Sequence, residues 1–269
     1  CEKPMAVSLG ECDEMLVAAR RNEVKLAVAH QRRFNGAWTE ARRLVAAGAI
    51  GQVRHVHAVG AQGLLNDCSH LLDMMRYVLG DPQAQWVIGN LERKTDRYER
   101  DVPIEDRSAG IVQFDNGTIG VLLQELGGRN RQGGVFYGTE GTLDLDEQRV
   151  QLINRDTGGR PEDRPVEGED PAVAQARELV QWVEGTCEHR GQAANGRAAV
   201  EIIMAIYEST RRREVVSLPL PTRANPLEEL IASGQLPPER PGGYDIRSFL
   251  LHGEAMSAAE AWGEGVEPT

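Results

Sequence analysis

The chain has no apolar run approaching the roughly 18 residues that a membrane-crossing helix needs, which excludes a helical membrane protein. It also has no excess of cations. Its 30 Lys and Arg stand against 41 Asp and Glu, a net charge of −11, and affinity for nucleic-acid phosphates is built from clustered cations and the counterions they release. The short basic runs, Arg20-Arg21 and Arg211-Arg212-Arg213, fall at the ends of expected helices, where they complement the helix dipole. Four cysteines, Cys1, Cys12, Cys68 and Cys187, are scattered without CxxC or zinc-site spacing, so a reduced compartment, the cytoplasm, is expected and no metal site is. His55 and His57 share one strand face but have no nearby carboxylate, and are read as surface residues. No GxGxxG and no phosphate loop ending in GK[ST] occurs. The chain as it stands therefore lacks the glycine turn that brings backbone amides to a pyrophosphate.

What is present falls into two parts. Ser8-Leu9-Gly10-Glu11 is a capping-box pattern that opens an amphipathic helix ending near Arg21-Asn22. Lys25 to His30 then reads as a short buried strand, giving a helix-strand unit of the kind that closes a parallel sheet. A second helix is expected from about Trp38 to Ala47, and a first strand of a new sheet from Val53 to Val59. Between Gln85 and Arg155 a run of strands is expected around 86–91, 108–114, 118–126, 134–137, 142–145 and 150–154. Asn116-Gly117 forms a hairpin turn between two of them, and this explains the Asn116-Gly117-Thr118 sequon as well. The glycines from Gly127-Gly128 to Gly133-Gly134 read as another hairpin connection. Asp170-Pro171 caps a helix to about Glu184 with Val173, Ala176, Leu179, Val180 and Val183 inward. A further helix spans about Asn195 to Arg211, an edge strand follows at Val215 to Leu218, and one short helix lies near Pro226 to Ser233.

The residues that carry chemistry are concentrated in two short stretches. Cys1-Glu2-Lys3-Pro4 puts a cation beside a proline-fixed turn. In the segment after Leu65, a helical wheel at about 100° per residue places Cys68, Leu71, Leu72, Met75, Val78 and Leu79 in one apolar arc. Asn66, His70 and Asp73 fall on the opposite face, with Asp67 at the border. A histidine held between polar residues suits acid-base work, because its ordinary pKa of about 6.5 lies near operating pH. The competing reading is a capping Asn66 or Asp67 followed by a solvated His70.

These stretches, with His30-Gln31-Arg32-Arg33-Phe34 read as a strand, Gly48-Ala49-Ile50-Gly51, Gly138-Thr139-Glu140-Gly141-Thr142, and Tyr207-Glu208-Ser209 before Val215-Val216-Ser217-Leu218-Pro219, resemble the Gfo/Idh/MocA family of nicotinamide-dependent oxidoreductases in order and spacing. The resemblance implies an α+β chain with a C-terminal remnant of a Rossmann domain at 1–36. An open, mainly antiparallel sheet domain flanked by helices would follow at 37–219, for substrate and oligomerisation, with an extended tail at 220–269. Since the chain starts at Cys1, the first part of the dinucleotide-binding domain is expected upstream. The resemblance assigns catalysis to Lys3, His70 and Asp67, and substrate binding to Asn66, Asp73 and Arg32. It assigns NAD or NADP contacts to Glu2, Lys3, Pro4 and Gln31, with the Lys3-Pro4 bond a candidate for cis. One departure stands out: the commoner pattern is Asp-x-x-x-His, whereas Asn66 stands four residues before His70 and Asp67 is displaced by one. An amide can hydrogen-bond a sugar hydroxyl but cannot balance a lysine's charge, so Asp67 takes that part. The loop from Gly60 to Gly63 is short and removes contacts that longer family loops would make.

The implied function is hydride transfer between nicotinamide and a secondary alcohol of a sugar, cyclitol or related polyol, in a homodimer or homotetramer joined through the open sheet, with no nucleic-acid or membrane partner. Two alternatives remain open at this point. One is a relative that oxidises a sugar carbon transiently to permit elimination or glycoside cleavage. The other is a nonenzymatic sugar sensor, kept alive by Asn66.

Overall fold

In the computed structural model, which describes residues 1–125 and 131–245, the chain begins with α1 (Leu9–Arg21), whose Ser8 side chain accepts from the Glu11 amide while Glu11 reaches back. The capping box therefore forms as expected. The segment 25–30 does not become a continuous strand. It is extended and bonded on both sides, Val28 N–H to Gly191 O at 2.8 Å and Ala29 N–H to Cys1 O at 2.8 Å, but only the single bridge Ala27 to Gln192 forms. His30 to Phe34 also departs from the expected strand: Gln31–Phe34 coil into a tight 3₁₀ turn. That turn hands the chain to α2 (Gly36–Ala46), capped by the Asn35 side chain.

β1 (Val53–Gly60) leads through a single π-helical turn (Leu64–Cys68) into α3 (Ser69–Val78). Then come β2 (Ala84–Glu92), β3 (Thr95–Glu99), β4 (Val102–Pro103), β5 (Arg107–Phe114), β6 (Ile119–Glu125), β7 (Gly134–Gly138), β8 (Gly141–Leu145), β9 (Val150–Asn154) and β10 (Glu162–Arg164). α4 (Pro171–Val183), α5 (Ala193–Arg212), β11 (Val216–Ser217), α6 (Pro226–Ala232) and β12 (Arg240–Asp245) complete the described elements. Nine strands form one open sheet in the order β10-β9-β8-β7-β1-β6-β5-β2-β11, and β12-β3-β4 form a small second sheet. The large sheet is antiparallel except for β1 beside β6. The β5–β6 connection is a three-residue loop in which only Gly117 takes positive φ, 85°, because a type I turn closed by a left-handed glycine does the work of the expected two-residue turn. The expected connection from Gly127 to Gly134 lies in part outside the described residues.

α3 and α5 cover one face of the large sheet. Two glycines let α3 come close: a Cβ on Gly60 would lie 2.4 Å from Cys68 Sγ, and one on Gly120 2.4 Å from Met75 Sδ. The other face is open. The cross-strand rows His57–Val121–Ile111–Ile88 and Val59–Leu123–Ala109–Asn90 leave Ile88, Ile111, Leu123 and Val59 exposed. His55 and His57 pack there against Tyr137. α4 is rotated from expectation, because Trp182 and Ala174 are its buried residues while Val173, Ala176, Leu179, Val180 and Val183 are all exposed. Trp182 stacks on His189, and that aromatic contact outweighs the aliphatic stripe in orienting the helix. Among the described residues, no helix is long and apolar enough to cross a membrane.

Candidate active site

The Cys1–Pro4 turn is tied down by its own backbone, Cys1 donating from its amino group to Ala27 O at 2.7 Å, and the Lys3-Pro4 peptide is cis. This carries the Lys3 side chain to the turn before α3, where Nζ donates to Asn66 O at 3.0 Å and to Asn66 Oδ1 at 2.9 Å. The π-helical winding has a physical consequence here. A five-residue backbone ring, Cys68 N–H to Gly63 O at 3.3 Å, widens the turn, so the 100° wheel does not hold from Leu64 to Cys68, and such turns are frequent at functional sites. Burial holds the Lys3 ammonium below its ordinary pKa, with Asp67 and Glu99 opposing the shift and Arg32 and Arg100 adding to it.

His70 is not solvated. It is 3% exposed, and its Nδ1 is buried without a hydrogen-bond partner, which leaves Nε2 as the nitrogen to meet a ligand. Burial drives its pKa well below the ordinary histidine value, and Arg32, Lys3 and His30 push the same way. The imidazole is therefore neutral at physiological pH, the form that accepts a proton. His30 stands edge-on to it, ring centroids 5.7 Å apart. Its Nδ1 lies 3.3 Å from Asp73 Oδ2, off the hydrogen-bond direction. The sequence pattern places His30 in a strand, whereas it precedes the 3₁₀ turn. Its role as neighbour to His70 depends on the 3₁₀ turn, for which periodicity offers no signal.

The expectation that Asp73 contacts substrate is corrected. All ten residues of α3 are buried, and at Asp73 the polar arc faces another side chain instead of a cleft. Asp73 is 0% exposed and is held by Arg33, Nε at 2.8 Å and Nη2 at 2.6 Å. Arg33 also reaches Asp81 at 2.7 Å. Burying a charged pair is tolerable only with such complete pairing. Arg32, by contrast, belongs to the neighbourhood of Lys3 and His70. Its Nε binds Glu147 Oε1 at 2.5 Å, and its Nη1 is buried without a partner, leaving a donor for a ligand oxygen.

Beside Lys3 lies a cavity of about 240 Å³ lined by Lys3, Pro4, Leu65, Asn66, Val102 and Ile104 among others. Glu2 and Gln31 are exposed and, like Asp67, Arg32 and His70, lie outside that lining, whereas Pro4 forms part of it. The structure thus brings Lys3, Pro4, Asn66, Asp67, Arg32 and His70 into one neighbourhood and sets Asp73 apart. The apolar walls and the Lys3 ammonium fit the nicotinamide end of a dinucleotide, and Glu99 and Arg100 add one charge of each sign to the same lining.

Residues 52–218 match the sequence profile described as the C-terminal alpha/beta domain of an oxidoreductase family, GFO_IDH_MocA. A 1,5-anhydro-D-fructose reductase of Ensifer adhaerens is 31% identical over 163 residues, 53% of this chain and 48% of that protein. A 1-carboxy-3-chloro-3,4-dihydroxycyclohexa-1,5-diene dehydrogenase of Comamonas testosteroni is 27% identical over 135 residues, 43% of this chain and 33% of that protein. The matches thus span half or less of these relatives. A levoglucosan dehydrogenase solved with NADH and levoglucosan superposes with a TM-score of 0.71 at 20% identity, covering 81% of this chain and 73% of that one, and shows the same fold.

Proposed function

This chain belongs to the Gfo/Idh/MocA oxidoreductase family, and from that premise we propose that the protein is an NAD(P)-dependent oxidoreductase. It would move hydride between nicotinamide and a secondary alcohol of a sugar, cyclitol or related polyol. The observation that carries the reading is the meeting of Lys3 with Asn66 across 63 positions of sequence, beside a neutral, buried His70. Relatives named for sugar and cyclic-diol oxidoreduction and a structural neighbour that binds NADH support it.

When bound, nicotinamide supplies the hydride acceptor or donor. The chain's own residues do the rest. Lys3 directs its ammonium at the alcohol oxygen and stabilises the negative charge that develops there as the proton leaves. His70 takes that proton at Nε2, its neutral form assured by burial. Asp67 keeps Lys3 charged against the pull of desolvation, and Arg32 Nη1 and the Asn66 amide hold neighbouring hydroxyls. Pro4 and Lys3, which line the cavity, would hold the nicotinamide. Residues 1–36 act as the closing part of a dinucleotide-binding unit and 37–219 as the substrate and assembly domain, to whose core the expected extended tail from 220 is joined by the buried Leu220 and Leu227. The exposed apolar face of the large sheet pairs with a second copy of the chain.

The test is net reduction of free NAD or NADP by the complete protein, presented with a panel of aldoses and cyclitols and followed by nicotinamide absorbance. Turnover that scales with one class of polyol is expected. Product formation with no net change in free cofactor would instead mean transient oxidation within a lyase or glycosidase cycle, and binding without chemistry would mean a sensor.

A further inference from the structure

The group that fixes the position of Asn66, and through it Lys3, lies on neither of their elements. We propose that Glu105 is a positioning residue for this site: its carboxylate braces the first amide of the π-helical turn, and Tyr207 anchors the brace. The inference rests on the reading of Lys3 and His70 as the reacting groups.

The turn Leu64–Cys68 has no side-chain cap of its own, since it follows Gly63, held at φ 84°. Its first amide would be one of the unpaired donors that every helical start leaves. Glu105, in the link between β4 and β5, fills that place: Leu64 N–H donates to Glu105 Oε1 at 2.6 Å. The other oxygen takes the Tyr207 hydroxyl of α5 at 2.8 Å. Glu105 and Tyr207 are 0% and 1% exposed, so both bonds are shielded from water. Two residues beyond Leu64, the Asn66 carbonyl receives both Lys3 Nζ at 3.0 Å and Ser69 Oγ at 2.6 Å. A shift at Leu64 therefore moves the acceptor on which Lys3 rests. Ile104, the residue before Glu105, lines the cavity beside Lys3, so one short link both walls the cavity and braces the turn.

A carboxylate in this position is a costly choice, because an isolated buried charge is strongly disfavoured. No cation stands among the main influences on Glu105 from the described residues. The groups that do are neutral donors, its own and the Leu64 backbone amides and the Tyr207 hydroxyl, together with the like-charged Asp106, and burial pushes its pKa up to about 7. The Cys68 thiol also feels its charge and stays protonated. A glutamine would satisfy Leu64 with less penalty. Charge-assisted bonds are shorter and about twice as strong, so the ionised form holds the turn more tightly than the neutral one.

The experiment follows the Leu64 backbone amide and the Asn66 side-chain amide by ¹⁵N NMR against pH in this chain, and kcat in the complete protein. In the wild type both amides are expected to shift together with a midpoint near pH 7, and in Glu105→Gln the inflection should vanish. Glu105→Leu, which offers no acceptor, should move the Asn66 signals and lower kcat about tenfold or more, the loss of one hydrogen bond to a charged group. Glu105→Gln should restore most of that rate, and Tyr207→Phe should shift the midpoint without unfolding, covering the case in which the leucine variant fails to fold. Asn66 signals indifferent to pH in the wild type and unmoved in folded Glu105→Gln and Tyr207→Phe would overturn the proposal. Asn66 signals that follow Glu105 in a protein that turns over no polyol would uphold the brace and remove the reaction assigned to the site.

Discussion

The two ends of the α3 region are equally buried and chemically opposite. At its start, His70 is 3% exposed with Nδ1 unpartnered, Arg32 beside it has an unpartnered Nη1, and Lys3 enters from another segment. Three residues on, Asp73 is 0% exposed, and both its oxygens are bound by Arg33, which Asp81 joins at 2.7 Å. Arg42 binds Asp81 at 2.9 Å, and Arg76 is spent on the carbonyls of Pro82 and Asp81. Burial therefore does not distinguish a reacting group from a structural one in this helix. Partnership does here: Asp73 is satisfied by Arg33, whereas His70 Nδ1 and Arg32 Nη1 have no protein partner.

The sharpest way to break this comparison is to substitute one residue from each end. His70→Ala should lower kcat of the complete protein by about 10²- to 10⁴-fold, the range for acid-base groups, with a smaller loss of stability than Arg33→Met, because it leaves a cavity but strands no charge. Lys3→Met should likewise reduce turnover far more than cofactor affinity. Arg33→Met should do the reverse in kind: it strands the buried Asp73 carboxylate and should cost about 3–5 kcal/mol in denaturant unfolding. If His70→Ala proved as destabilising as Arg33→Met, the division by partnership would fail.

Much of the frame was legible because its signals are local. The Ser8–Glu11 box, the Asp170-Pro171 start and the strand run can each be read within a few positions, whereas Lys3, Asn66, Asp67 and His70 are singled out by the resemblance to the family. What could not be read depends on distant partners. Asp73 looked like a cleft residue because the wheel shows which side of a helix is polar and not what covers it, and its cover, Arg33, lies 40 positions away. The apolar stripe of α4 was read as inward, yet Trp182 took the buried side by stacking on His189. The 3₁₀ turn at Gln31–Phe34 and the π-helical turn at Leu64–Cys68 have no hydrophobic period of their own, so their sequence patterns resemble a strand and an α-helix.

Proton linkage sharpens the comparison a step further, since Glu105 and the two site histidines act with opposite sign. Glu105 has a folded pKa of about 7, above the ordinary carboxylate value of about 4.3. The folded state thus binds its proton more tightly, and the stability it contributes is lost as pH rises between those values. His70 and His30 are depressed, so the folded state resists protonation and stability is lost as pH falls below about 6.5. Denaturation from about pH 5 to about pH 8 should show Glu105→Gln gaining stability relative to wild type toward the alkaline end, by about 3 kcal/mol at most. His70→Phe should gain toward the acid end. A Glu105→Gln difference that stays constant across the range would mean that Glu105 ionises at its ordinary value and that its burial is not as described.

The smallest expected effect concerns the amide that replaces the commoner aspartate. Lys3 rests on Asn66 through two acceptors, the backbone carbonyl at 3.0 Å and the side-chain oxygen at 2.9 Å. Truncating the side chain in Asn66→Ala leaves the carbonyl in place, so Lys3 stays near its position and kcat should change little. The lost hydrogen bond to substrate should instead raise KM by roughly fivefold, the worth of one net hydrogen bond of about 1 kcal/mol. Asp67→Asn should behave differently, because Asp67 is the first charge that opposes the desolvation of Lys3. Its loss should lower kcat and shift the pH profile of turnover, since a Lys3 with a further depressed pKa loses its proton earlier on the alkaline side. Asn66→Asp in that background sets a carboxylate directly against Lys3 Nζ and should return both the rate and the alkaline limb. If it restores neither, Lys3 draws nothing from the charge beside it, and the displaced aspartate is a cap on its own turn.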